Sequence, residues 1–217
     1  MRKKIDMMND IKEFIEKQVF DALPSKQLFN FYRENNVAHD LPDGNQIRRE
    51  NLLHYLDSFE SRPSMIVVGE APGHKGLRFS GIPFTSEVQL VTNIFPFSGK
   101  QSSRADKPKA ESTATIFWET LLQHHQSMFV WNSIPFHPFS ESKGLLSNRT
   151  PSFSELEEHS HILNGIIGML GPKKVVAVGR SAENLLSRMD IPCEYIMHPS
   201  YGNKTAFKDG MEKVFGH

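Results

Sequence analysis

The chain has 217 residues, enough for one ordinary domain with a sizeable core and short for two. Its 25 Lys and Arg balance 25 Asp and Glu, which excludes a generally basic nucleic-acid coat but leaves room for a local basic patch. Cys193 is the single cysteine, which excludes an intramolecular disulfide and any all-cysteine metal or iron–sulfur site.

In chain order, IKEFIEKQVF, KQLFNFYREN and IRRENLLHYLDSF each space apolar residues three and four apart, so residues 1–60 are expected to be helical, punctuated by Pro24 and Pro42-Asp43-Gly44. The period then changes. Short, nearly continuous apolar runs at 64–69, 127–132, 174–179 and 194–198 read as strands covered on both faces. Helices are expected at about 111–125, at 152–170 with a capping box from Ser152 to Glu155, and at 181–188. This alternation predicts an α/β fold with a parallel sheet between helical layers. Residues 98–112 form a polar, helix-poor loop holding Lys100, Arg104, Lys107 and Lys109. Residues 61–109 carry 7 basic and 3 acidic side chains, a net +4, so an anionic partner would meet this segment.

In an open α/β sheet, ligands sit beyond the carboxyl ends of the strands. The notable polar residues fall there: Gly69-Glu70-Ala71-Pro72-Gly73-His74, Asn132 to His137, Gly179-Arg180-Ser181, and His198-Pro199-Ser200-Tyr201. Glu70 suits the orientation of water or the stabilisation of a cation, and equally a solvated carboxylate. His198 suits donation to an oxygen that gains charge, and equally a structural role. Asn132 can read an amide-like edge or close a turn. Phe79 and Phe84 can stack on a planar base or fill the core. No tight ligand spacing joins His74, His137, His198 and Glu70, so no metal is expected. Cys193 reads as inert, Trp131 as packing, and no G-x-S-x-G motif is present.

The ordered set has a familiar form. Gly69-Glu70-Ala71-Pro72-Gly73 followed by Gly81-Ile82-Pro83-Phe84 resembles the first motif of the uracil-DNA glycosylase superfamily, nearest its thermophilic, iron–sulfur-containing branch. Asn148-Arg149-Thr150-Pro151 is similar to the same branch, and His198-Pro199-Ser200 resembles the second active-site motif. The matching positions run from about Met65 to Lys204. The branch normally carries four cysteines around its cluster, so the cluster is expected to be absent, its structural task falling to the N-terminal helices. Ala71 stands where the best-known branch has a catalytic aspartate, and Gly73 where that branch has a tyrosine blocking the thymine methyl.

The resemblance implies a three-layer α/β/α sandwich around a four-stranded parallel sheet, here one domain over 1–217 with residues 1–60 as a helical N-terminal extension packed on the core. It implies hydrolysis of the N-glycosidic bond of a flipped-out damaged base in DNA, uracil first among the candidates, without metal or organic cofactor. Glu70 and His198 would be catalytic, the first on water and the sugar cation, the second on the uracil O2. Gly69, Ala71, Gly73, Phe84 and Asn132 would bind the base. Ser200 and Tyr201 would enter the minor groove. On charge alone, and not from the resemblance, Lys100, Arg104, Lys107 and Lys109 are expected to contact or steer toward phosphate. Two other readings stay open: a hydrolase of free nucleosides or nucleotides, and a non-catalytic nucleic-acid-binding protein with the same pocket. The expected partner is DNA containing a damaged base. A monomer in the cytoplasm is expected: no run approaches the eighteen apolar residues of a membrane span, and the basic head of MRKKIDMMND leads into no apolar run.

Overall fold

A computed structural model describes residues 2–24, 27–92 and 95–216. In chain order its elements are α1 (Arg2–Ile15), a π-helical turn (Glu16–Phe20), β1 (Leu28–Phe29), α2 (Gly44–Asp57), β2 (Met65–Gly69), α3 (Leu77–Ser80), α4 (Glu87–Val91) and α5 (Ser112–Leu121), which tightens into a 3₁₀ turn (Leu122–Ser127). There follow β3 (Met128–Asn132), β4 (His137–Pro138), α6 (Phe153–Leu170), β5 (Lys174–Val178), α7 (Arg180–Arg188), β6 (Glu194–Ile196) and α8 (Lys204–Phe215).

The four expected strand runs form one parallel sheet in the order β3-β2-β5-β6. Every residue of β2 and β3 is buried, which requires cover on both faces and explains why these strands are continuous apolar runs. The result is a three-layer α/β/α sandwich. At the β3 edge, the Val130 N–H donates to the hydroxyl of Tyr55 from α2 at 2.8 Å. The Ser152 capping box forms as expected: the Glu155 N–H donates to Ser152 Oγ, and the Ser152 N–H donates to Glu155 Oε2.

KQLFNFYREN does not form the expected helix. Leu28 and Phe29 instead pair antiparallel with Pro138 and His137, and turns follow; Lys26 lies outside the described residues. The side chains and backbone of this segment are claimed elsewhere. Asn30 donates to the carbonyls of Val19 and Ala22, while Arg48 and Arg49 donate to those of Phe31 and Tyr32. Leu28, Phe29, Phe31 and Tyr32 are all buried, so helix-like spacing here reflects a segment enclosed on every side.

The segment before β2 also braces the turn that presents Phe84. Gly81 sits at φ +79°, and a side chain there would strike the backbone carbonyl of Arg48. Tyr32 donates its hydroxyl to the Gly81 carbonyl at 2.7 Å, and Asn51 donates to the Ser80 carbonyl at 2.8 Å. The 98–112 loop is tied down by the buried carboxylate of Glu87, which accepts from the N–H groups of Ser102, Ser103 and Lys109 and from the Ser103 hydroxyl. Beneath it, buried Asp40 accepts from both Arg48 and Arg78.

Candidate active site

The carboxyl ends of the four strands share a cavity of about 600 Å³, within the size range of sites that enclose small-molecule ligands. Glu70 enters from the end of β2, Asn132 from β3, Ser181 from the start of α7 and His198 from beyond β6. The turn after β3 is fastened to β2, since Ser133 donates to the Gly69 carbonyl through both its N–H and its hydroxyl.

Gly69 itself does not line the cavity; it gives room. A Cβ there would lie 2.5 Å from Asn132 Oδ1 and 2.6 Å from the Phe84 ring, so the residue lets the two cavity-lining side chains close over the strand end. Among the described residues the Asn132 amide has no hydrogen-bond partner, although the residue is buried. Phe84 stacks on Phe117 at 4.3 Å between centroids and holds φ +52°, a left-handed backbone that costs an aromatic residue about 1–3 kcal/mol. Ala71 and Gly73 line the wall beside it.

Burial raises the Glu70 pKa above the ordinary carboxylate range, while hydroxyl hydrogen bonds from Ser181 and Thr150 pull it back. Burial lowers the pKa of His198, which favours the neutral ring. The Ser200 N–H donates to His198 Nδ1 at 3.3 Å, and Ser200 Oγ lies 2.8 Å from the same nitrogen. A backbone N–H can only donate, so Nδ1 accepts and the proton of the neutral ring sits on Nε2. The ring therefore has a donor left for a ligand. Tyr201, at φ +56° beside Gly202 at φ +83°, is fully exposed at the mouth.

The profile of the uracil DNA glycosylase superfamily matches residues 56–215. This chain belongs to the uracil DNA glycosylase superfamily. It is accordingly a glycosylase-type hydrolase of DNA repair. A comparison with curated protein sequences finds no match. Among solved structures the chain is similar to wild-type SMUG2 of Pedobacter heparinus, with TM-score 0.67 and 15% identity over 96% of each chain. At that identity the likeness speaks to the fold.

Neither comparison singles out the iron–sulfur branch of the superfamily. The residues do not fit a four-cysteine cluster: Cys193 is the single cysteine, and the described residues contain no group of three His, Cys, Asp or Glu side chains placed to hold a metal. His74 and His137 are engaged structurally, with Asn148 and with the Pro72 and Leu145 carbonyls respectively.

The structure brings Glu70, Ala71, Gly73, Phe84, Asn132, His198, Ser200 and Tyr201 around one cavity, with Gly69 directly behind. It does not bring the basic loop there. Lys100 pairs with Glu50 at 3.2 Å, Arg104 donates to the Asp40 carbonyl, and Lys107 is exposed. Arg104 and Lys109 line a separate depression of about 180 Å³ with His39 and Phe79.

Sequence reading missed Glu111. It lines the active-site cavity, and burial pushes its carboxyl up to about 7 against an opposing effect of Lys75. An acid directly before a helix is indistinguishable in sequence from one that merely complements the helix dipole. Thr150 and Ser181 were legible as part of motifs, but their hydrogen bonds to Glu70 were not.

Proposed function

We propose that this chain hydrolyses the N-glycosidic bond of uracil flipped out of DNA. The observation that carries the reading is the shared cavity, in which a desolvated carboxylate and a neutral, donor-bearing imidazole stand with an unpartnered amide and an aromatic face.

Cleavage puts positive charge on the sugar and negative charge on the departing base. Glu70 orients the attacking water and faces the cation, with Ser181 and Thr150 holding its carboxylate in the ionised form. His198 donates from Nε2 to a base oxygen as charge gathers there. Both groups are fixed before the reaction, so little solvent has to reorganise. Asn132 reads the polar edge of the base and Phe84 stacks on its face. The exposed ring of Tyr201, held out by a strained backbone, fills the gap left in the stack, which favours a polymer over a free nucleoside. Each of these groups works as it stands, so the reaction proceeds without a metal.

Single-turnover excision from oligonucleotides bearing uracil, hypoxanthine or thymine, with chelator present, tests the reading. Uracil should be released fastest. Glu70→Gln and His198→Ala should each slow uracil release roughly a hundred- to thousandfold, by analogy with lost oxyanion donors, while still binding the substrate. 5-Fluorouracil, a better leaving group, should recover His198→Ala more than Glu70→Gln. Wild-type-like excision by both variants would refute the site.

A further inference from the structure

Glu111 occupies the cavity in a way that a structural carboxylate does not require. Its main chain opens α5, yet its side chain makes no capping hydrogen bond. Among the described residues its carboxyl has neither a hydrogen bond nor an ion pair, and it is partly buried in the cavity wall. It is instead cradled by two glycines. A Cβ at Gly73 would lie 2.5 Å from Oε1, and one at Gly76 would collide with Oε2. The turn after β2 therefore gives up two side chains to make room for this one carboxyl. A carboxyl that lines the ligand cavity and is engaged by no protein group keeps its hydrogen-bonding capacity for what enters the cavity, and the glycine turn gives it the room to stand there.

We propose that Glu111 is a base-reading residue whose carboxyl donates a hydrogen bond to a carbonyl oxygen of the extruded base. The inference rests on the uracil reading and adds a specificity group to it. Uracil and hypoxanthine carry a carbonyl oxygen where cytosine and adenine carry an amino group. A protonated carboxyl offers a donor to that oxygen, and an ionised one does not. Burial holds the proton on to about pH 7. The other charged and titratable groups lining the cavity are Glu70, His198, Tyr201, and Arg149 and Arg180, which are paired with Glu155 and Glu183; Lys75 and His74 lie on the cradling turn, His74 bonded to Asn148. Of these, Lys75 is the one whose charge acts on Glu111, and it favours ionisation.

The expected pH dependence has a definite sign. Glu70 must be ionised, which gives kcat/KM a rising limb on the acid side. Glu111 must be protonated, which gives a falling limb near pH 7, and kcat/KM reports groups of the free enzyme. The experiment measures kcat/KM for uracil release from pH 5 to 9 with the wild type, Glu111→Gln and Glu111→Ala, beside binding of each to a duplex containing an abasic site. Glu111→Gln keeps a donor of the same reach and should keep activity while losing the falling limb. Glu111→Ala should lose about tenfold in kcat/KM below pH 7, the scale of one hydrogen bond, with abasic-site binding intact. An alanine variant with unchanged activity and an unchanged falling limb would overturn the role of Glu111 while leaving the glycosylase reading standing. So would loss of abasic-site binding together with activity, since that marks a structural role. A wild type that releases no base from DNA would overturn the glycosylase reading itself, and this inference with it.

Discussion

Around Asp40, the polar groups of four buried charged residues, Asp40, Arg48, Arg78 and Glu87, are with one exception paired with one another, with the backbone or with neighbouring polar side chains. Asp40 takes Arg78 at 2.7 and 3.3 Å, Arg48 at 3.4 Å and the Asn36 N–H at 2.7 Å. Arg48 reaches two further carbonyls and two side-chain oxygens, and Glu87 accepts four donors. The exception is Arg78 Nε, whose guanidinium lies over the rings of Phe29 and Phe79. The cavity at the strand ends is built on the opposite plan. Asn132, Glu111 and the Nε2 of His198 are held in place by backbone and by glycine clearances, with hydrogen-bonding capacity left open. A saturated polar network acts as architecture: it fixes residues 30–51 to the loop that carries Ser102 and Ser103. An unsaturated one keeps its interactions for a ligand, and the fold bears the cost.

Breaking the first region should have the largest effect. Asp40→Ala leaves two buried guanidinium groups facing each other without their shared carboxylate. It should cost about 3–5 kcal/mol in urea unfolding, and an unaffected midpoint would show the cluster to be dispensable. The second region should respond in activity instead. Asn132→Ala should lose roughly 1–3 kcal/mol of discrimination for the damaged base while binding undamaged DNA as before. Equal loss of both would make Asn132 a structural residue.

A sharper comparison uses stability against pH. The folded-state pKa of Glu111 is raised from 4.5 to about 7, so its contribution to stability is present below pH 4.5 and is lost as pH rises to 7. The limiting slope is about 1.4 kcal/mol per pH unit. Glu111→Gln should therefore gain on the wild type as pH increases across that window, and a constant difference between the two denaturation profiles would refute the assignment. The smallest effect is expected at the surface. Neutralising Lys100, Arg104, Lys107 and Lys109 together should reduce the salt dependence of DNA binding, by about 0.9 in log–log slope for each phosphate that is no longer neutralised. An unchanged slope would leave the loop as solvated surface.

The same contrast explains what could be seen in the sequence. The sheet was legible because β2 and β3 are buried on both faces and so keep a continuous apolar pattern up to Gly69 and Asn132. Glu70, Asn132 and His198 were legible because each stands at or just beyond the end of such a run. Residues 28–32 misled because a run buried throughout imitates helical spacing, and what decides their conformation is the reach of Arg48 and Arg49 from farther along the chain. The basic loop showed its charge but not its destination, since Glu50 and the Asp40 carbonyl that engage it lie some fifty to sixty residues away. Glu111 was hidden for a related reason: its setting depends on the absence of side chains at Gly73 and Gly76, and local pattern does not report clearance.

The hydroxyl of Tyr55 has a consequence for self-association. A parallel sheet has an outer strand on each side, and an outer strand with free N–H groups is a template for a strand from another copy. At β3 one of those groups is already spent on Tyr55, and all five residues of the strand lie under cover. A fifth strand could not run the length of β3 without displacing a buried aromatic residue from the middle of the edge. That edge of the sheet is therefore closed to runaway strand addition without the charged or bulged residues that exposed edges need.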